Sequence, residues 1–256
     1  MDLPRAPRVA SEHEVRLSVD YGTTQLKVAY HVAAKGKPTS TRQTFVASLQ
    51  AQYGQLPQVL GFVKQREAPS DAPETRASFA FFWGAEFEEQ LDRTDLGADD
   101  VFVFNNLKIC LYSSRFQIQH RENIERELER YALASDEPDT SLEWLLALHL
   151  SKVRQRAIQS IQAEFDWLWP VEEFSAVHQQ WVFSVPEVAT SASNQMFARA
   201  IMRAGYPEGI MLVTETEAAS AWLMHEYDLA RGWSPERLGV SRSPLVTTHR
   251  VLTQCH

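Results

Sequence analysis

Residues Val15 to Val32, VRLSVDYGTTQLKVAYHV, restrict what this chain can fold into more than any other stretch. Leu17 and Val19 alternate with Arg16 and Ser18, the period of a strand with one buried face. Leu26, Val28 and Tyr30 alternate in the same way with Lys27, Ala29 and His31. Between the two runs, Asp20-Tyr21-Gly22-Thr23-Thr24 reads as a tight turn. That turn holds one acid, one glycine and two adjacent hydroxyls. Backbone N–H groups at such a turn can close around an anion, and Gly22 lets a phosphate approach without meeting a Cβ. Asp20, at the strand end, suits a magnesium ion held through water. The same residues also make an ordinary hairpin turn, because Asp, Gly and Thr are common in turns.

Composition narrows the class. A length of 256 residues suits one large or two modest domains. The apolar share of 44% and charged share of 23% are those of a soluble globular protein. A net charge of −8 argues against nucleic acid or an anionic membrane as the main partner. Cys110 and Cys255 make no metal-ligand pattern with a nearby His or Cys. No run approaches the roughly 20 apolar residues of a membrane span. The first residues, MDLPRAPRVASEHE, lack the apolar centre of a signal peptide. A cytoplasmic protein is the expectation.

Residues 1–13 read as a loose leader and Gln43 to Leu49 as a third strand. Val59 to Val63 and Phe79 to Trp83 read as short strands, the second ended by Gly84 and followed by a helix over Ala85 to Leu91. Lys64 to Ser78 reads as a solvated loop. Val101 to Tyr112 is apolar except for Asn105, Asn106 and Lys108. Helices are predicted over His120 to Ala134 and Ser141 to Phe165, the second with a long apolar stripe that suits core packing. Trp181 to Val185 then reads as strand, Ser191 to Ala204 as helix and Ile210 to Val213 as strand. Thr214 and Glu217 form a capping-box pattern ahead of a helix over Ala218 to Tyr227. Asp228 to His256 has weak patterning and reads as a disordered or loosely docked tail.

Four of these pieces together resemble the 70-kDa heat-shock chaperone family, and most closely the divergent heat-shock-70-like proteins of filamentous fungi. Leu17 to Thr24 (LSVDYGTT) is similar to the family's first phosphate loop. Phe82-Trp83-Gly84 resembles a Trp-Gly segment of the fungal members. Val182 to Pro186 (VFSVP) resembles the strand end before a long helix, and Leu212 to Ala219 (LVTETEAA) the Glu-Pro-x-Ala-Ala segment. The four occur in the family's order over about residues 14–227. The implied fold is α/β: a ribonuclease-H-like, actin-like ATPase lobe with a mixed central sheet and flanking helices. About residues 54–140 would form a smaller, looser subdomain.

The resemblance implies ATP and magnesium as cofactors. Asp20 would sit under the magnesium and its waters, and Gly22, Thr23 and Thr24 would donate to the phosphates. Lys108 would face the γ-phosphate and attacking water, and Glu215 the magnesium and water. Read from the residues alone, Lys108 also fits a packed stem with its amine in water, and Glu215 an acid in a helix's first turn. Pro186 would relay nucleotide state between domains.

The chain also departs from the family. Thr216 stands where proline is usual and Glu187 where a small residue is usual. The second phosphate loop, Asp-x-Gly-Gly-Gly-Thr, has no counterpart, since no two glycines are adjacent. The adenosine segment and the peptide-binding domain are not found either. The expectation is a first lobe without its second, a tail at 228–256 unrelated to the family, and ATP hydrolysis that is weak or lost in this chain. A lone lobe would expose the face that meets its partner lobe, which suits a protein partner. Two other functions stay open. One is a non-enzymatic interaction protein that uses this face; the other is a small-molecule kinase of the same superfamily.

Overall fold

The computed structural model describes residues 13–22, 25–34, 45–47, 49, 56–57, 59–65, 77–92, 96–111, 115–165 and 177–221. All of the expected leader except His13, which already belongs to the first strand, together with Thr23, Thr24, most of the 64–78 loop, the far part of the 218–227 helix and the 228–256 tail, lies outside these.

The opening alternation becomes an antiparallel hairpin. Strand β1 (His13–Tyr21) pairs with β2 (Gln25–Ala34), from His13 opposite Ala34 to Tyr21 opposite Leu26. Val15, Leu17, Val19 and Tyr21 are buried, and Arg16, Ser18 and Asp20 are exposed. The strand runs further than the local pattern predicts, because Asp20 and Tyr21 belong to the ladder rather than to the turn. The cause is not local: the Tyr21 ring continues the buried face and finds its partners on distant helices. Gly22 then begins the turn. A Cβ there would stand 2.3 Å from the Gln25 carbonyl oxygen, so closing the turn already demands glycine.

The hairpin opens a mixed sheet. Strand β3 (Phe45–Val46), shorter than expected, pairs antiparallel with β2, and so does β4 (Leu56–Pro57). On the other side, β8 (His178–Val185) runs parallel to β1, and β9 (Met211–Thr214) parallel to β8. The path is β3-β2-β1-β8-β9. Helix α3 (Leu142–Glu164), capped by Ser141 through the Trp144 N–H, and helix α4 (Ser191–Arg203), capped by Thr190, cover the buried face. Phe183 of β8 meets Phe197 of α4 edge-on at 5.9 Å, and the Tyr206 hydroxyl donates to the Leu150 carbonyl of α3. Helix α4 ends as its sequence suggests, with Gly205 just past it at φ 82°.

Strands β5 (Val59–Lys64), β6 (Phe79–Trp83) and β7 (Val101–Asn105) make a second, antiparallel sheet in the order β6-β5-β7. It lies within the stretch expected to form the smaller subdomain. Helix α1 (Ala85–Leu91) folds back on it, with the Phe87 ring over Gly61; a Cβ at Gly61 would lie 2.4 Å from that ring and 2.1 Å from the Phe102 carbonyl oxygen. The inner face carries Phe62, which packs on Tyr131 of α2 (Arg115–Ala134) and Trp144 of α3. One continuous hydrophobic cluster joins both sheets and the helices. The class is therefore α/β, a mixed sheet flanked by helices. Among the described residues no helix is long and apolar enough to cross a membrane.

Candidate functional site

The three parallel strands β1, β8 and β9 end level with one another. Val19 pairs with Phe183 and Phe183 with Leu212, and each strand runs two residues further, to Tyr21, Val185 and Thr214. Gly22, Pro186 and Glu215 are the next residues, side by side on one rim. Here the chain order also reverses: β2 and β3 lie on one side of β1, and β8 and β9 on the other. Carboxyl ends of parallel strands at such a switch point are where open α/β sheets bind ligands.

Asp20 is exposed on the sheet face opposite α3 and α4, and its Oδ1 accepts a 3.0 Å hydrogen bond from the Ser184 hydroxyl across the β1–β8 boundary. Ser184 was not apparent as a site residue, although its place in VFSVP puts it on the polar face. Pro186 is buried, and its carbonyl accepts from Ala189 N–H in the turn toward α4.

Lys108 comes from the far side of the chain. Left-handed Asn106 (φ 53°) ends β7, and the chain tightens into a 3-10 helix over Leu107–Leu111. Asn tolerates that backbone better than other non-glycine residues. The turn carries Lys108 inward until its side chain is only 2% exposed, and its ammonium donates to Glu215 Oε1. Glu215 keeps half of its side chain in solvent. Thr214 and Glu217 complete the capping box reciprocally, hydroxyl to Glu217 N–H and carboxylate to Thr214 N–H, at the start of the helical turn at 215–221. Capping is thus the work of Glu217, and Glu215 is left to meet Lys108. The two acids sit in one turn with separate tasks.

Behind the rim lies a buried polar pair. Tyr21 Oη and His149 Nδ1 of α3 share a 3.1 Å hydrogen bond. His149 sits on the apolar stripe of α3 with Leu145, Leu146, Leu150 and Val153, the one signal that could have singled it out. Burial lowers its pKa to about 3 and pushes the Tyr21 hydroxyl well above its usual range. Burial also pushes the nearby Cys110 thiol up to about 12, which removes it as a nucleophile near neutral pH.

His149 yields a pH prediction. In the unfolded chain an imidazole titrates near about 6.5, above its folded value, so the unfolded state takes up the proton first. Its contribution is complete above that pH and is lost as pH falls toward about 3. The expected loss from this site is about 2 kcal/mol between pH 7 and pH 5. Urea unfolding of wild type and His149→Leu at both pH values checks it. The wild-type slope should be the steeper; equal slopes would refute a buried neutral ring.

Among the described residues no group of three or more His, Cys, Asp or Glu is placed to hold a metal ion directly. An exposed carboxylate at a strand end still fits a magnesium ion bound through its water shell. The ammonium of Lys108 is buried and already meets the Glu215 carboxylate, so an anion there would share it with that acid. No protein-family model matches this chain, and no curated protein matches it.

Proposed function

We propose that the described residues form the first lobe of an actin-like ATPase domain of heat-shock-70 type, and that its rim is one wall of a magnesium–nucleotide site. One observation carries this. Asp20 on β1 and Glu215 after β9 stand near the level ends of the parallel strands, and Lys108, from a separate part of the chain, reaches Glu215. Lys108 and Glu215, 107 residues apart, are in direct contact.

On this reading Asp20 orients the water shell of the magnesium, which supplies charge neutralisation to the phosphates when bound. Ser184 holds the Asp20 carboxylate from one side and fixes its direction. Gly22 keeps the turn tight, with no Cβ to stand in an anion's way. Lys108 supplies the fixed positive charge that phosphoryl transfer needs, and Glu215 holds that charge at the rim. Pro186 lies buried at the end of β8, the strand between β1 and β9, where a change at the rim would be passed to α4.

Calorimetric titration with magnesium-ATP tests the proposal, with Asp20→Ala and Lys108→Ala alongside. The expected result is weak binding that either substitution lowers a further ~10- to 100-fold, since a hydrogen bond to a charged group is worth about 1.5–3 kcal/mol. No heat from folded protein up to millimolar nucleotide, or binding indifferent to both substitutions, would refute it. Turnover should be slight at best from this wall alone, because hydrolysis needs a closed, dry cleft.

A further inference from the structure

Tyr21 lies between Asp20 and Gly22, yet its side chain points away from the rim and is fully buried. Strand alternation links the two facts: burying Tyr21 on one face of β1 presents Asp20 on the other. The buried ring is held on several sides. His149 of α3 bonds its hydroxyl, and Phe197 of α4 packs on it at 5.4 Å. Trp83 packs edge-on against the His149 ring at 5.2 Å. Trp83 is itself fixed, as the last residue of β6 opposite Leu60. Gly84 follows at φ 58°, with its N–H on the Val59 carbonyl, so the chain leaves the strand at once for α1. The Trp-Gly pair noted in the sequence therefore has a physical task that the nucleotide site did not use.

We infer that Trp83, His149 and Tyr21 form a buried tether from the small sheet through α3 to the end of β1, positioning Asp20 and Gly22 for the phosphates of a nucleotide. This rests on the function proposed above. The three are positioning residues; none touches the ligand. A neutral pair suits the task, because a charge so far from water would need a partner of its own. Precision is what a tether supplies: a displacement of about 1 Å at a reacting group can cost about a hundredfold in rate.

The test separates positioning from packing. Tyr21→Phe or His149→Leu alone leaves a buried polar group unpaired and destabilises the chain. Tyr21→Phe with His149→Leu removes both groups and should return the urea midpoint close to wild type. Positioning predicts that the double variant still binds magnesium-ATP about tenfold more weakly and that its Gly22 amide exchanges faster with solvent. Recovery of affinity and exchange together with stability would overturn the tether. If the wild type itself binds no nucleotide, the proposed function fails, and the Gly22 amide still decides: faster exchange in a stable double variant supports the tether, and unchanged exchange overturns it. Should the double variant not fold, Trp83→Phe, which keeps an aromatic ring, is read by the same exchange measurement with the same two outcomes.

Discussion

Glu215→Ala is expected to lower the folding free energy by about 2–3 kcal/mol, and Lys108→Met by less than about 1 kcal/mol. The asymmetry comes from exposure. Lys108 is 2% exposed and Glu215 51%. Removing the glutamate strands an ammonium inside the protein, and breaking a buried pair in this way typically costs about 3–5 kcal/mol. The half-solvated carboxylate moderates that figure here. Removing the lysine instead frees a carboxylate that water already reaches, and methionine refills most of the volume. Urea midpoints at unchanged slope read both values. Equal losses, or a larger loss for Lys108→Met, would mean that the ammonium is hydrated and the pair is only a surface contact. On the proposed function the same pair of variants should respond in the opposite order to nucleotide, since Lys108 would then be the charge that meets phosphate.

Phe62→Ala should cost about 4 kcal/mol. Phe62 lies on the inner face of β5 and is 2% exposed. Its ring stacks on Tyr131 at 4.2 Å and lies almost parallel to Trp144 at 5.5 Å, with Phe81 and Phe104 at 5.4 and 6.0 Å. Truncation would leave a void walled by rigid rings, which collapse onto it poorly. A loss of this size is a large part of the stability of an ordinary domain. Leu133→Ala, at a position 83% exposed, is the control and should move stability by less than about 0.5 kcal/mol. A loss below about 1.5 kcal/mol at Phe62 would mean that the small sheet does not depend on α2 and α3 for its packing.

What could be read from the sequence was what short-range pattern decides. The 13–34 hairpin, the strands around Phe62 and Phe81 and the helices α1, α3 and α4 follow from period, caps and glycines within a few residues of each element. The capping box of Thr214 and Glu217 formed as its spacing implies. What escaped depends on partners far along the chain. Asp20 and Tyr21 look like turn residues until His149, 128 positions away, is in place to receive the Tyr21 hydroxyl. Lys108 could have been a packed stem with a solvated amine, and only the arrival of Glu215 shows otherwise. Ser184, inside VFSVP, and Asn106 carried no sign of their tasks. One matters through the carboxylate across its strand boundary, and the other through a backbone angle that composition does not announce.

The level ends of β1, β8 and β9 also impose a counting rule on how this protein can change over time. From Val19 to Gly22, from Phe183 to Pro186 and from Leu212 to Glu215 the distance is the same three positions, measured from residues that pair with one another. Gaining or losing one residue in any of these short spans would turn the rim residue to the opposite face and shift it about 3.3 Å along the strand. A substitution at the rim leaves its neighbours in register; a single-codon insertion there does not. Distant relatives of this chain would therefore be found better by three equal spacings than by shared letters.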